Sequence, residues 1–213
     1  MKERPILFSA PMVRAILAGA KTQTRRVVKD RHIDAAPPAC LFQWLRERCP
    51  YGQPGDRLWV RETWQHANFP FGPYDESCAV FYRTDYMDDP HGPDGERSPE
   101  GKYRHWKPSI HMPRSASRIL LEVAAVRVER LQAISDADIE AEGAAQWVKD
   151  GGSVHSPHPG FDGQWPDAAG TVRVKPNRVA FCSLWESING SGSWGANPWV
   201  WVIEFKPVEG GEA

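Results

Sequence analysis

The apolar positions of this chain fall into a few short patterns separated by long polar stretches. Ile6-Leu7-Phe8 is a compact apolar run of strand type, and Met12, Val13, Ile16 and Leu17 then recur at helical spacing. Ser9 stands where a helix opening at Ala10 and Pro11 places its N-cap, and its hydroxyl can cap that helix. Gly19 stands where the helix end needs a left-handed residue, so the helix delivers Lys21 at its exit. From Thr22 to Val28 the pattern predicts a strand, with Thr22, Thr24 and Arg26 on one face and Gln23 and Arg25 on the other.

Residues 32–54 read as an inserted loop carrying a short helix around Leu41 to Leu45, and Gly55-Asp56 marks a turn. Arg57 to Trp64 predicts a strand with Leu58, Val60 and Glu62 on one face, opposite Trp59, Arg61 and Thr63. Ala79 to Arg83 is a further strand, and residues 84–117 read as a long insertion. Ile119 to Val128 predicts one long or bulged strand. After it, Ser135-Asp-Ala-Asp138 resembles a capping box for a short helix that runs through Glu142 and stops at Gly143. Glu140 and Glu142 are two apart, so only one of them faces a pocket. A third insertion covers residues 147–176, and Pro176 opens a helix with Phe181, Leu184, Trp185 and Ile188 on one face, ended by Asn189-Gly190. Trp199 to Phe205 is almost continuously apolar, as a strand is when it is buried on both faces or closes a barrel.

The tally is five or six strands, two principal helices and a short one, in an order too irregular for a doubly wound sheet. It predicts an α+β chain built as a small barrel with flanking helices, and the 213 residues fit one elaborated domain. Charged residues make up 25% and the formal net charge is −1, which excludes a protein that coats nucleic acid non-specifically. Charge is nevertheless local: Arg14, Lys21, Arg25, Arg26, Lys29 and Arg31 face only one acid, Asp30, in that span. Such a patch is either a solvated face or a substrate-facing one.

Trp106-Lys107-Pro108-Ser109-Ile110-His111-Met112-Pro113-Arg114 mixes aromatic and basic residues. Trp106, Lys107 and His111 therefore suit stacking on a base and contact with phosphate, while Trp106 and Met112 equally suit anchoring the loop to the core. The four cysteines are widely spaced with no C-x-x-C pair, and His155 and His158 lack accompanying ligands, so the expectation is reduced thiols and no metal or other cofactor. No apolar run approaches the ~20 residues of a membrane span, and Met-Lys-Glu-Arg-Pro is no signal peptide, so a cytoplasmic protein is expected.

Gly19-x-Lys21-x-x-Thr24-x-Arg26 after a short helix resembles the signature of ASCH domains, which have a PUA-like β-barrel fold. Gly55-Asp56 before a strand, the Ser135 to Gly143 helix and the closing Trp199 to Phe205 strand are also similar to that family, and the Trp106 to Arg114 segment resembles a longer phage or prophage subgroup. The family includes an amidohydrolase acting on N4-acetylcytidine through a lysine, a threonine and a glutamate. The resemblance implies Lys21 as general base, Thr24 as nucleophile and Glu142 as the acid or water-orienting group, with Glu62 as the rival carboxylate. Arg25 and Arg26 are then cations that depress the lysine pKa and hold the substrate. Two other readings fit the same residues: a module that binds single-stranded RNA or a modified nucleoside without chemistry, and a metal-independent ribonuclease using Lys21 and Arg26.

Overall fold

The structure, a computed structural model, describes residues 1–67, 73–88, 105–149, 164–167, 170–173 and 176–208. His155, His158 and most of the insertion expected at 147–176 lie outside the described residues, as does the middle of the one expected at 84–117. In chain order the elements are β1 (Glu3–Leu7), α1 (Ala10–Leu17), β2 (Gln23–Val27), α2 (Asp30–Asp34), α3 (Leu41–Glu47), β3 (Arg57–Arg61), β4 (Trp64–His66) and β5 (Val80–Tyr82). Then follow β6 (Leu120–Arg130), α4 (Asp136–Ala141), α5 (Ala144–Lys149), β7 (Gln164–Asp167), β8 (Gly170–Arg173), α6 (Pro176–Asn189) and β9 (Trp199–Pro207).

The fold is α+β. One mixed five-stranded sheet runs in the order β1-β3-β6-β9-β2, parallel between β1 and β3 and antiparallel elsewhere. β4 with β5, and β7 with β8, form two-stranded ribbons. β6 is the long strand with a bulge, its register shifting between Val123 and Ala125. β9 lies between β6 and β2 and separates two cores. Trp201, Ile203 and Phe205 enter a cluster with Ile6, Phe8, Val13 and Ile16, while Val200 and Val202 enter another with Ile139, Phe181 and Trp185. Period-two alternation sends neighbouring residues to opposite faces, so a strand apolar at every position is one with a core on each side.

Several sequence expectations are corrected. The strand from Arg57 to Trp64 is two strands, broken at Glu62 and Thr63, because β4 leaves the main sheet to pair with β5. Ser9 is the N-cap of α1, yet its side chain makes no capping bond. Pro11 in the first turn has no N–H, which removes one of the donors such a cap uses. Residues 32–54 are not a mere insertion: Leu45 and Cys49 sit in the main core, and the Trp201 indole N–H donates to the Leu45 carbonyl at 3.0 Å. The four cysteines are free. Burial pushes the Cys49 thiol up to about 11 and the Cys182 thiol up to about 12, so both stay protonated near neutrality. No described helix is long and apolar enough to cross a membrane.

α4 begins as its sequence predicts. The Ser135 hydroxyl accepts from the Asp138 N–H at 3.1 Å, and the Asp138 carboxylate accepts from the Ser135 N–H at 3.3 Å, which completes the capping box. Burial alone raises the Asp138 pKa, but the bonds from Ser135 and the charges of Arg25 and Arg127 outweigh it and hold the group at about 2 against an ordinary 3.8. The unfolded chain therefore takes up this proton first. The stability that Asp138 contributes is full above pH 3.8 and is lost as pH falls from there towards about 2. Chemical denaturation across that window is expected to show Asp138→Asn less stable at pH 7 and with a flatter acid limb than the parent; parallel limbs contradict this assignment.

Candidate functional site

α1, β2 and the end of α4 converge on Lys21. Gly19, at φ +69°, turns the chain out of α1, and the N–H groups of Ala20 and Lys21 both donate to the Ala15 carbonyl, at 2.8 and 3.0 Å. The Thr22 N–H then donates to the Ala141 carbonyl at 2.9 Å, which ties the start of β2 to the C-terminus of α4. Glu142 is the C-cap of α4, and its backbone bridges that of Lys21. Gly143, at φ +74°, completes the approach: a Cβ there would lie 2.9 Å from the Ala15 Cβ and 3.1 Å from the Lys21 Cβ. Glu140 is exposed and Glu142 buried, as their spacing required.

The Glu142 carboxylate is held between two cations. Lys21 Nζ donates to Oε2 at 2.8 Å and to the Glu142 carbonyl at 2.9 Å, and Arg25 Nη1 donates to Oε1 at 3.0 Å. Relative side-chain exposure is 0% for Lys21, 0% for Arg25 and 4% for Glu142. Arg25 Nη2 also donates to Glu129 at 2.5 Å and pairs with Asp138 at 3.3 Å, so one guanidinium ties β2, β6 and α4 together. Burial pulls the Lys21 pKa below its ordinary 10.5, the Glu142 carboxylate opposes that, and Arg26 and Arg25 reinforce it. Arg26 faces the other side of β2. Its Nη2 donates to the Leu7 carbonyl at 2.6 Å, and its guanidinium carbon lies 5.3 Å from the Phe8 ring centre and 5.9 Å from that of Tyr51.

A cavity of about 240 Å³ opens beside this group, lined by Thr24, Arg25, Arg26, Lys29 and Glu142 with Met12, Tyr51, Phe181, Leu184, Trp185 and Ile188 among its apolar walls. Residues from both faces of β2 line it, so it runs along that strand's free edge. Phe205 N–H donates to the Thr22 carbonyl and Val28 N–H to the Trp199 carbonyl, both at 2.8 Å. Antiparallel alternation consequently turns the peptide groups of Arg25 and Val27 away from β9, towards the cavity. Thr24 is buried, and no hydrogen bond to its hydroxyl forms among the described residues. Lys21 is not among the lining residues: it reaches the cavity only through Glu142.

The structure thus brings together Lys21, Thr24, Glu142, Arg25 and Arg26, and it separates the other candidates from them. Glu62 is no rival partner of Lys21. Its carboxylate accepts from Arg118 at 3.0 and 3.2 Å and from the Thr84 hydroxyl at 2.6 Å, and Arg118 also pairs with Asp85. Lys107 pairs its backbone with Trp64, lies 5.0 Å over that indole and approaches His66 at 3.0 Å. Trp106 packs beside Tyr86 and Arg83, His111 is exposed, and Met112 is fully buried against Trp64, which is the anchoring alternative for this loop. Sequence reasoning missed Tyr51 as a cavity residue and Glu129 as a partner of Arg25, and it named Lys29 only within the basic patch. The only local signal was the alternation of Arg127 with Glu129 on β6, which gives one strand face both signs of charge.

No protein-family model, curated protein or solved structure matches the chain.

Removing the charge of Glu142 leaves two cations buried without their shared anion. Glu142→Gln is expected to lower unfolding stability by about 3–5 kcal/mol in a urea titration, as breaking one side of a buried ion pair does. Gly143→Ala is expected to cost about 1–2 kcal/mol from the left-handed backbone alone, and more where its Cβ meets Ala15. A neutral result for both variants contradicts the dependence of this site on the Glu142 turn.

Proposed function

We propose that the chain is an ASCH-type domain whose site takes a modified nucleobase and removes an N4-acyl group from cytidine. The observation that carries this reading is that Thr24 and Glu142 line the same cavity, with Lys21 and Arg25 fixing the carboxylate. A volume of about 240 Å³ falls below the ~300–1,000 Å³ of pockets for drug-sized ligands, which suits one flat heterocycle. Phe181 and Trp185 supply apolar walls, and the outward peptide groups of Arg25 and Val27 supply donors and acceptors for a base edge. The finer fold reading, a PUA-like barrel, is supported by Arg26, which spans from β2 to the Leu7 carbonyl at the end of β1, the opposite edge of the sheet.

In the proposed reaction the Thr24 oxygen attacks the acyl carbon, and its proton passes to the Lys21–Glu142 couple. The bond from the acyl carbon to the exocyclic nitrogen breaks, that nitrogen takes the proton back, and water hydrolyses the acyl-threonine ester. Burial and the neighbouring arginines lower the Lys21 pKa against the opposing pull of Glu142, which makes the amine easier to deprotonate.

A second reading, a binding module without chemistry, is favoured by one specific observation. Both Lys21 side-chain bonds among the described residues end on Glu142, and Lys21 itself does not line the cavity, an arrangement suited to orienting an acceptor for a base. Incubating the protein with N4-acetylcytidine and with labelled single-stranded RNA separates the two. Cytidine and acetate are expected, with Thr24→Val lowering turnover by about 10²–10⁴-fold and Thr24→Ser retaining part of it. Saturable binding without product selects the module; neither binding nor product with either ligand overturns both.

A further inference from the structure

The cavity's charged groups are not balanced alike. Glu142, Glu129 and Asp138 answer Lys21 and Arg25 through bonds of 2.5–3.3 Å. Arg26 forms no ion pair among the described residues, and its hydrogen bond goes to a neutral carbonyl, that of Leu7. Its surroundings are aromatic, Phe8 and Tyr51, and burial lowers its pKa against the opposing charges of Tyr51 and Glu142. The Arg26 Nε and the Trp185 indole N–H, both on residues that line the cavity, are buried donors with no acceptor among the described residues. Lys29, exposed just past the end of β2, adds a second cation to the cavity lining.

A half-buried guanidinium with an unused donor and an exposed ammonium, lining one cavity, form a donor set for an anion. A buried unsatisfied donor calls for an explanation, and an acceptor supplied by a ligand is one. We propose that Arg26 and Lys29 form an anion subsite of the cavity that takes a phosphate ester of the ligand. Phosphate matches both groups: the arginine fork offers directed bonds and the lysine a point charge. This inference rests on the reading of the cavity as a nucleobase site, and it changes the ligand from a free nucleoside to a nucleotide, either as a mononucleotide or within an RNA strand.

Calorimetric titration with cytidine, cytidine 5′-monophosphate and a short oligocytidylate tests it, alongside thermal unfolding in inorganic phosphate against chloride at equal ionic strength. The monophosphate is expected to bind at least about tenfold more tightly than cytidine, the scale of a hydrogen bond to a charged group. That preference shrinks in Lys29→Gln and vanishes in Arg26→Gln. Tighter binding of the oligonucleotide than of the monophosphate assigns the phosphate to a strand; the reverse assigns it to a mononucleotide. Stabilisation by inorganic phosphate that Arg26→Gln abolishes, with no cytidine ligand bound, keeps the anion subsite and removes the nucleobase reading. Equal affinity for cytidine and its monophosphate, or a phosphate effect that survives in Arg26→Gln, overturns the subsite.

Discussion

The interaction on which this structure turns is the burial of one carboxylate, that of Glu142, between Lys21 and Arg25. An isolated carboxylate cannot be taken out of water at tolerable cost, and two buried cations cannot be left without an anion. Each of the three groups therefore makes the position of the others compulsory. Their carriers are the exit of α1, the edge strand β2 and the end of α4, elements far apart in sequence, so the electrostatic requirement also fixes how they dock. The backbone agrees with it. The bonds from Ala20 and Lys21 to Ala15, and from Thr22 to Ala141, bring the same three elements together independently of charge. Gly143 permits the contact because a larger residue meets Ala15.

This arrangement relies on the two-faced sheet behind it. β9 carries a core on each side, so β2, paired to it, also has one face towards each core. Thr24 and Arg26 lie opposite Ile203 and Trp201 on one side, and Arg25 lies opposite Val202 on the other. A single edge strand thus distributes its polar residues to different tasks by parity. Arg25 is consumed by three acids on β6 and α4, while Arg26 meets aromatic rings and a carbonyl. Adjacent arginines that look equivalent in sequence end in opposite electrostatic states.

Much of the framework was legible because it is local. A glycine at the end of α1, the Ser135–Asp138 capping box, the bulged β6, the apolar face of α6 and the nearly continuous apolarity of β9 are all signals written within a few residues of their effect. The pairing of Glu142 with Lys21 was reached through resemblance, with Glu62 left open as the rival. Nothing local decides between them, because the partners of Glu62 are Arg118 and Thr84, and those of Glu142 stand more than a hundred residues upstream. The role of residues 32–54 was missed for a related reason. Their prolines and sparse apolar residues read as loop, whereas Leu45, Cys49 and Tyr51 fill space that only the assembled sheet creates. The Trp106 to Arg114 segment shows the converse: an aromatic and basic composition suggestive of ligand contact is explained by packing against Trp64 and Tyr86.

The placement of Lys21 bears directly on what the site does with a proton. A lysine that served as a lone base would need a clear path to the Thr24 hydroxyl. Here its bonds among the described residues end on Glu142, and Glu142 lines the cavity with Thr24. In the proposed reaction the base is therefore the Lys21–Glu142 pair and not the lysine alone, and Arg25, bonded to the other carboxylate oxygen, fixes its orientation. The same geometry in a binding module presents an immobile acceptor to a base edge. The proposed hydrolase and the proposed binding module therefore share Lys21, Glu142 and Arg25, and what distinguishes them is whether Thr24 is in line with a reactive carbonyl when the cavity is filled.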